Sequence, residues 1–325
     1  MVNDISIDKL QKLGQTLHVI NLNNSSKENL NTLLEYINNH KKQIDDYIIQ
    51  SGAILFRGFE IYSNEDFLKI KEKIAGNLNF SYVDGNSPRT KISDAIYTST
   101  EYPQEYRIPL HSEMSYSHKW PALLFFFCMT PSAEGGETPI ADCRVILNQL
   151  GSDIVSGFEE LGVKYTRYLN GSGRFGKSWM DTFQSSDKAT VEKFCEENKI
   201  KFLWDNDALL LSQIGVGVAK HPVTHEKVWF NQANQFHPSS LPVDIYKGLK
   251  MLYSHHKHKF PQYAFYGNGE DICDEHIKII TEVHFDCALK FKWEKGDLLV
   301  LDNMLMSHGR MPFSGERKIF ISMSG

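Results

Sequence analysis

The sequence predicts a β-sandwich or jelly roll decorated with helices, a fold of the α+β or mainly β class. Short candidate strands recur along the chain, at 52–56, 122–128, 297–301 and 317–324. The run at 122–128 is apolar at every position, which is typical of a strand buried on both faces in a two-layer core. Candidate helices occupy the start of the chain and part of a long segment at about 150–220. This distribution favours a β core to which helices are added.

Apolar spacing and capping residues predict the other elements. Four apolar residues between Leu30 and Ile37 recur at helical spacing, so the first fifty residues are predicted to be helical. A second helix is predicted over 63–75, with Ser63 as its N-cap. Further helices are predicted at 153–161, 189–198, 241–257 and within 267–281, and further strands at 93–100, 106–116, 204–218 and 227–231.

No internal repeat, low-complexity tract or clear linker interrupts the 325 residues. The chain 1–325 is therefore predicted to form a single domain. Its parts are an N-terminal helical segment at 1–50, a jelly-roll core at about 50–150 and 220–325, and an insertion at about 150–220. A chain of this length buries roughly three quarters of its unfolded surface, so the core needs no disulfide or structural metal.

Composition excludes several classes of protein. The net charge of −5 argues against a nucleic-acid-binding protein, which usually presents a basic face. The five cysteines are scattered without a C-x-x-C pair, as expected of reduced thiols in the cytoplasm. The polar N-terminus predicts no signal peptide, and the longest apolar run, 121–129, is too short to cross a membrane. The sequence predicts a soluble cytoplasmic protein.

The segment His111-Ser112-Glu113 is the first candidate for a metal site. On a strand, residues two apart lie on one face. A third ligand from a distant histidine would complete two imidazoles and one carboxylate, the facial triad of non-haem Fe(II) oxygenases. The spacing alone is weak, because the chain holds 13 histidines and a surface strand with polar residues facing water explains it as well. His308, beside Gly309 and just after a predicted strand, is the candidate third ligand; a loop histidine bonded to backbone is the alternative.

Arg317 is a candidate for binding an anion. Period-two alternation places it on the same strand face as Ile319 and Ile321, with Lys318 on the opposite face. An arginine on a core face needs a buried anionic partner. The far carboxylate of a dicarboxylate would supply one through two parallel hydrogen bonds. The alternative is an arginine at a strand start that extends to water.

Several ordered motifs resemble the taurine dioxygenase-like (TauD/TfdA) superfamily. They are HSEMSY at 111–116, GGETPIAD at 135–142, and the stretch from Asp302-Asn303 through His308-Gly309-Arg310 to Arg317-Lys318. The motifs are most similar to the branch that contains syringomycin-type hydroxylases of nonribosomal peptide pathways, and 54–59 and 228–232 fit that branch too. The resemblance spans roughly residues 50 to 324 and implies a double-stranded β-helix, a cupin-like jelly roll.

The resemblance implies Fe(II) as the metal, with 2-oxoglutarate and O2 as cosubstrates. Position by position, His111, Glu113 and His308 match the family's iron ligands. Thr138 matches the threonine that hydrogen-bonds the C5 carboxylate of 2-oxoglutarate, and Arg317 matches its salt-bridge partner. The interval from His308 to Arg317 is shorter than in the taurine enzyme, so Arg310 is a competing candidate for binding cosubstrate or substrate.

Other residues are weaker candidates. Residues that flank the motif strands are predicted to line the substrate pocket, with ordinary packing as an equally good explanation: Tyr102, Arg107, Met114, Tyr116 and Asn231. The cluster His255-His256-Lys257-His258 is predicted to be a solvated helix end rather than a metal site, since it has no acidic or cysteine partner. Asp302-Asn303 is predicted to be a turn that shapes the region of the distal ligand.

The resemblance implies hydroxylation of an unactivated C–H bond in an amino acid or related small metabolite of natural-product biosynthesis, with release of succinate and CO2. The substrate is either free or tethered to an acyl or peptidyl carrier protein, and a homo-oligomer is compatible with the sequence. Halogenases of this fold replace the carboxylate ligand with a small residue, so Glu113 argues against halogenation; desaturation is the nearer alternative. A cupin-type metal enzyme that does not use 2-oxoglutarate would have no need of Thr138 and Arg317. A non-catalytic binding module would have lost a ligand.

Overall fold

The structure is a computed structural model that describes residues 5–23, 29–93, 95–171, 177–253 and 256–325. The strands are β1 (Ile5–Lys12), β2 (Gln15–Leu22), β3 (Ala53–Arg57), β4 (Tyr97–Thr98), β5 (Ile108–His111), β6 (Leu123–Thr130), β7 (Glu134–Gly135), β8 (Ile140–Asp142), β9 (Val163–Leu169), β10 (Lys201–Asp205), β11 (Ala208–Gly215), β12 (Val218–Lys220), β13 (Lys227–Trp229), β14 (Gln262–Tyr266), β15 (Leu298–Asp302), β16 (Met306–Arg310), β17 (Phe313–Ser314) and β18 (Lys318–Ser324). The α-helices are α1 (Asn29–Asn39), α2 (Lys41–Ser51), α3 (Asn64–Ala75), α4 (Cys143–Gln149), α5 (Ser152–Leu161), α6 (Trp179–Phe183), α7 (Lys188–Glu197), α8 (Ala233–Phe236), α9 (Val243–Tyr253) and α10 (Asp274–Cys287). None of the helices in these described ranges is long and apolar enough to span a bilayer.

Two facing sheets form the centre of the fold. The large sheet has seven strands in the order β1-β2-β3-β15-β6-β18-β4, and a small sheet has the order β5-β16-β8. The sheets contact each other where the ring of Phe126 on β6 lies 5.0 Å from that of His308 on β16. This is the arrangement expected of a jelly roll.

The predicted strand at 122–128 is confirmed, and its alternation explains why it is apolar throughout. Leu124 and Phe126 belong to the core between the two sheets. Phe125 and Phe127 belong to a second core, which the helices α1 to α3 cover. β3 and β15 divide their side chains in the same way. Since both faces are buried, every position of these strands gains from an apolar residue.

The prediction of helix over the first fifty residues is wrong for residues 5–22, which form the β1–β2 hairpin. Its two-residue turn is Leu13-Gly14, with φ of 51° and 81°, the positive values that a type I′ hairpin turn requires. β2 then pairs in parallel with β3. The apolar spacing at 30–37 does form a helix, α1, and Ser63 caps α3 through its side chain as predicted.

The segment predicted as an insertion contains sheet as well as helix. Strands β9, β10 and β11 join β14 in a four-stranded sheet, and α5 to α7 flank them in sequence. The strand predicted at 204–218 is divided at Asn206, whose φ of 56° suits a tight turn between β10 and β11. Of the histidine cluster, His255 lies outside the described residues, and His256 and His258 are exposed after the end of α9.

Gly309 allows β16 to approach β5, and its replacement tests that pairing. A Cβ atom at this position would lie 2.6 Å from the carbonyl oxygen of Ile108. We expect Gly309→Ala to lower the free energy of unfolding by about 1–3 kcal/mol, because backbone atoms must move apart. The matched control is Gly248→Ala in α9, where nothing lies within 4 Å of the added Cβ and helix propensity favours alanine by about 0.5–1 kcal/mol. Urea denaturation of both variants is the measurement, and equal stabilities would contradict the close approach.

Candidate active site

Strand pairing brings the two candidate histidines together. His111 ends β5 and His308 lies in β16, where the two residues are direct register partners. Their ring centroids are 4.6 Å apart. Glu113 follows β5 by two residues, and the ligand atoms of the three residues all lie within 4.8 Å of one another. All three side chains are buried, so the structure assembles the two imidazoles and one carboxylate that the sequence pattern predicted.

The local structure at Glu113 differs from the prediction of a continuous strand. The chain turns after His111, and Met114 has a φ of 54°, an uncommon left-handed conformation for a residue other than glycine. Asn303 holds this turn: its Oδ1 accepts from the Glu113 backbone N–H at 2.7 Å, and its Nδ2 donates to the Glu113 carbonyl at 2.9 Å. Asn303 stands in the turn between β15 and β16, as predicted, but these bonds fix the backbone of Glu113 and not the distal candidate ligand, His308.

The surroundings of both histidines favour the neutral imidazole that a metal ligand needs. His111 Nδ1 lies 2.9 Å from the carbonyl of Pro109, which can only accept, so Nδ1 carries the proton and Nε2 keeps its lone pair. His111 Nε2 is buried and has no hydrogen-bond partner in the structure. Burial is the main cause that lowers the pKa of His111 and holds the pKa of His308 well below its usual range. The neutral imidazoles and the carboxylate fit a divalent metal ion, and this donor set suits Fe(II).

Thr138 and Arg317, the candidate residues for 2-oxoglutarate, lie together on the cavity that His111 and His308 border, and this pair is called the cradle below. Thr138 Oγ1 accepts from Trp293 Nε1 at 3.1 Å and from Arg317 Nη2 at 3.4 Å. Its own hydroxyl proton therefore remains for an acceptor. Arg317 Nε donates to the carbonyl of Gly136 at 2.9 Å, which orients the guanidinium. Burial and the nearby charge of Arg310 lower the pKa of Arg317 to about 10; an anion in the cradle would oppose that shift.

A small cavity of about 30 Å³ lies between the two histidines and the cradle. Its wall includes His111, His308, Thr138, Arg317, Phe126 and Arg89. Arg310 also borders this cavity. However, its guanidinium donates to the backbone carbonyls of Tyr102, Pro103 and Tyr106 at 2.6–2.8 Å, which commits it to holding that loop.

A larger cavity of about 480 Å³ lies next to the small one and shares Thr100 and Ile108 with it. Tyr102 and Arg107, two of the predicted pocket residues, line this larger cavity. The guanidinium of Arg107 lies 4.5 Å from the centre of the Phe285 ring. A volume of this size is typical of a pocket for a small molecule.

The structure places the other three predicted pocket residues in the core. Met114 is 2% exposed and packs in the core between the sheets. Tyr116 donates its hydroxyl proton to the Asp84 carbonyl at 2.7 Å. Asn231 donates to the Gly217 carbonyl and accepts from the Ala233 backbone N–H. The polar atoms of Tyr116 and Asn231 bond to the backbone and stabilise the fold. A residue that flanks a motif therefore need not face the cavity that the motif borders.

Two buried site residues were not predicted from the sequence. Arg89 lies in the loop before β4, and its Nη2 is 2.5 Å from Oε2 of Glu113. Trp293 precedes β15 and donates to Thr138. Neither has a sequence signal. An arginine in a polar loop is usually solvated, and a tryptophan near a strand usually packs in the core.

Comparison with known proteins defines the class. Residues 11–323 match the family described as "Taurine catabolism dioxygenase TauD, TfdA family". The chain is 35% identical over 290 residues to the dapdiamide synthesis protein DdaC of Enterobacter agglomerans, a match that covers 89% of this chain and 86% of the relative. It is 31% identical over 301 residues to a clavaminate synthase-like protein of Arabidopsis thaliana, covering 88% and 86%.

Solved structures show the same fold. The structure of PvcB from Pseudomonas aeruginosa has a TM-score of 0.53 at 12% identity, covering 100% of this chain and 92% of that one. PvcB is described as an Fe, alpha-ketoglutarate dependent oxygenase from an isonitrile synthetic pathway. The structure of AAD-2 in complex with Mn(II) and N-oxalylglycine has a TM-score of 0.55 at 14% identity, covering 98% and 96%. The predicted fold class, a jelly roll with added helices, is confirmed.

The chain belongs to the TauD/TfdA family. It is an Fe(II)/2-oxoglutarate-dependent dioxygenase that acts on a small molecule, and the cosubstrates of this class are 2-oxoglutarate and O2.

Proposed function

We propose that this dioxygenase hydroxylates an unactivated C–H bond of an amino acid or a related small metabolite, and that His111, Glu113 and His308 hold its Fe(II). The convergence of these three buried groups within 4.8 Å is the observation that carries the proposal. Two neutral imidazoles and one carboxylate leave coordination positions for cosubstrates. With 2-oxoglutarate and O2, the bound iron supplies the oxidising chemistry, and succinate and CO2 are released.

Thr138 and Arg317 are proposed to bind the C5 carboxylate of 2-oxoglutarate. The free hydroxyl proton of Thr138 and the buried guanidinium of Arg317 supply donors for a carboxylate, and both border the cavity that His111 and His308 line. A charged hydrogen-bonded pair in a water-poor site is stronger than the same pair in water. The cradle also disfavours the alternative, a cupin-type metal enzyme that does not use 2-oxoglutarate, because such an enzyme has no need of a carboxylate-binding pair. Arg310 is less suited, because three backbone carbonyls already occupy it.

The larger cavity is proposed to hold the substrate. Its volume of about 480 Å³ suits an amino-acid-sized molecule with room for an extension. One relative is named as a dapdiamide synthesis protein and one structural neighbour belongs to an isonitrile synthetic pathway, which favours natural-product biosynthesis. Glu113 occupies the position that a halide would need, so hydroxylation is favoured over halogenation; desaturation by the same site is the second candidate.

The remaining proposals concern the setting of the enzyme. A carrier protein could present the substrate at the large cavity, and the chain could form a homo-oligomer. A single oxygenase domain over 1–325 agrees with the motif positions, and the cytoplasm agrees with five free cysteines, of which four are buried.

Removal of one proposed iron ligand tests the metal site. Anaerobic addition of Fe(II) and 2-oxoglutarate should give the weak visible charge-transfer band of the chelate, and His308→Ala should abolish it, because a nitrogen ligand is lost. The matched control is His118→Ala, which changes an exposed histidine and should keep the full band. A full-strength band in His308→Ala would refute the ligand assignment.

Arg317→Leu tests the cradle. Losing the charged donor should raise the 2-oxoglutarate concentration that gives half of the band by roughly 10–100-fold, since hydrogen bonds to charged groups are worth about 1.5–3 kcal/mol. Fe(II) binding, measured separately, should change little. Unaltered use of 2-oxoglutarate by Arg317→Leu would transfer the role to Arg310, and Arg310→Leu would then show the loss.

A succinate-release screen tests the substrate class. The enzyme with Fe(II), 2-oxoglutarate and O2 should release succinate above its uncoupled rate with at least one amino acid, offered free or loaded on a carrier protein. A product heavier by 16 mass units would identify hydroxylation, and one lighter by 2 would identify desaturation. His308→Ala is the negative control. Stimulation by taurine or another sulfonate and by no amino acid would contradict the proposed substrate class.

A further inference from the structure

Arg89 is a buried cation whose hydrogen bonds are incomplete. Its side chain is 2% exposed, and its Nη2 lies 2.5 Å from Oε2 of Glu113, which is itself 2% exposed. Among the described residues, the Nε and Nη1 atoms of the same guanidinium are buried and have no hydrogen-bond partner, while the Tyr82 side chain is a second hydrogen-bond partner of the guanidinium. Burying N–H groups of a charged side chain without acceptors is costly, so this site is incomplete without another acceptor.

Among the described residues, the surroundings of Arg89 offer no second acid. Its guanidinium lies 4.9 Å from the centre of the Tyr82 ring, which covers one face. Asp84, the nearby carboxylate, pairs with Arg167 at 2.5 Å. Lys177 donates to the Gly85 carbonyl and adds positive charge on the same side. In the described part of the chain, Glu113 is thus the only acidic partner of Arg89.

A count of charges shows what the loaded site would lack. Arg310 also borders the cavity but is bonded to three backbone carbonyls, so it is set aside; Fe(II), Arg89 and Arg317 together would bring four positive charges, while Glu113 and doubly charged 2-oxoglutarate would bring three negative ones. The Glu113 carboxylate would then be shared between the metal and Arg89, and Arg317 would be paired with the cosubstrate. One positive charge would remain at Arg89, in a setting where an unpaired charge is expensive. A singly charged anion would balance it.

The position of Arg89 indicates where that anion comes from. Arg89 borders the small cavity with His111 and His308. The three residues that precede it, Asn86, Ser87 and Pro88, border the large cavity. Arg89 therefore borders the proposed metal site, and the segment that carries it borders the space proposed for the substrate.

We propose that Arg89 is a substrate-binding residue that holds a free carboxylate of the substrate next to the metal. The inference rests on the proposed function and narrows it, because an amino acid tethered through its carboxyl group has a neutral thioester there. The substrate is accordingly a free amino acid, or one whose acidic side chain enters the site. This carboxylate also fixes which carbons lie near the iron, so Arg89 contributes to regiochemistry.

A purely positioning role for Arg89, through Glu113, makes different predictions. In that case, replacing Arg89 would alter metal binding and would change the affinities for an acid and for its amide by the same factor. A substrate-binding role alters the discrimination between a carboxylate and its neutral isostere. The two roles are separable because metal binding is measured before any substrate is added.

The test uses the full-length enzyme with Fe(II) and 2-oxoglutarate under anaerobic conditions. The probes are the L-amino acids, each paired with its α-carboxamide, together with the side-chain pairs aspartate–asparagine and glutamate–glutamine. The readout is the change in the chelate band on binding, which gives an apparent Kd for each probe. The wild-type enzyme should bind at least one acid at least about tenfold more tightly than its amide, as expected for a charged hydrogen-bonded contact.

Four variants complete the test. Arg89→Gln should weaken binding of the acid by roughly 10–100-fold and abolish the preference over the amide, with Fe(II) and 2-oxoglutarate binding changed by less than about threefold. Arg89→Lys should retain part of the preference, since the charge remains but the planar fork is lost. Arg107→Gln removes the arginine that borders the large cavity and tests the competing assignment, while Lys318→Gln removes an exposed cation and should leave the acid-to-amide ratio unchanged.

Several outcomes would overturn the proposal. A retained acid preference in Arg89→Gln would do so, and a preference lost only in Arg107→Gln would assign the carboxylate to Arg107. Weakened Fe(II) binding with an intact preference would make Arg89 a positioning residue. A wild-type band that responds to none of the acids would also reject the carboxylate, whereas failure to form the band at all would reject the proposed function itself.

Discussion

The pairing of β5 with β16 is the constraint on which the site depends. It sets His111 directly opposite His308, so two proposed ligands from distant parts of the sequence are held by the hydrogen bonds of the small sheet. Gly309 permits the approach, since a side chain there would meet the Ile108 carbonyl. The Asn303 side chain accepts a hydrogen bond from the Glu113 backbone N–H and donates one to the Glu113 carbonyl. The third proposed ligand is thereby tied to the turn that leads into β16, and a shift of β5 relative to β16 would change the distances between the three groups.

The two-sided core explains why the site can be both dry and highly charged. Strand β6 buries Phe125 and Phe127 on one face and Phe126 on the other, and Phe126 forms part of the cavity wall beside His308. Such a wall lowers the local dielectric, which strengthens ion pairs and penalises unpaired charge. Arg310 meets that penalty with three backbone carbonyls. Arg317 bonds one carbonyl and the hydroxyls of Ser99 and Thr138, and Arg89 pairs with Glu113; both guanidinium groups keep N–H groups that an external anion can accept from.

Much of the fold and of the site was predictable from the sequence, for identifiable reasons. The apolar run at 122–128 and the cap Ser63 act locally, so their structures follow from residue types. The triad was predicted from ordered motifs, although Glu113 lies in a turn rather than on a strand. The hairpin at 5–22 was missed because its partner, β3, lies thirty residues away and its Leu13-Gly14 turn is an uncommon signal. The contacts of Arg89 and Trp293 exist only once the chain is folded.

The arrangement of cations places a chemical limit on what the enzyme accepts. Arg317 lies in the cradle with Thr138. Nη2 of Arg89 forms an ion pair with Glu113. Arg317 and Arg89 border the same small cavity; Arg317 is proposed to hold the cosubstrate, and Glu113 is the acidic partner of Arg89 in the described part of the chain. If both anions came from 2-oxoglutarate, its C1 carboxylate would have to contact Arg89, and Arg89 variants would lose the cosubstrate rather than the preference for an acidic substrate. The independent measurement of 2-oxoglutarate binding in Arg89→Gln therefore decides whether the second anion belongs to the cosubstrate or to the molecule that is oxidised.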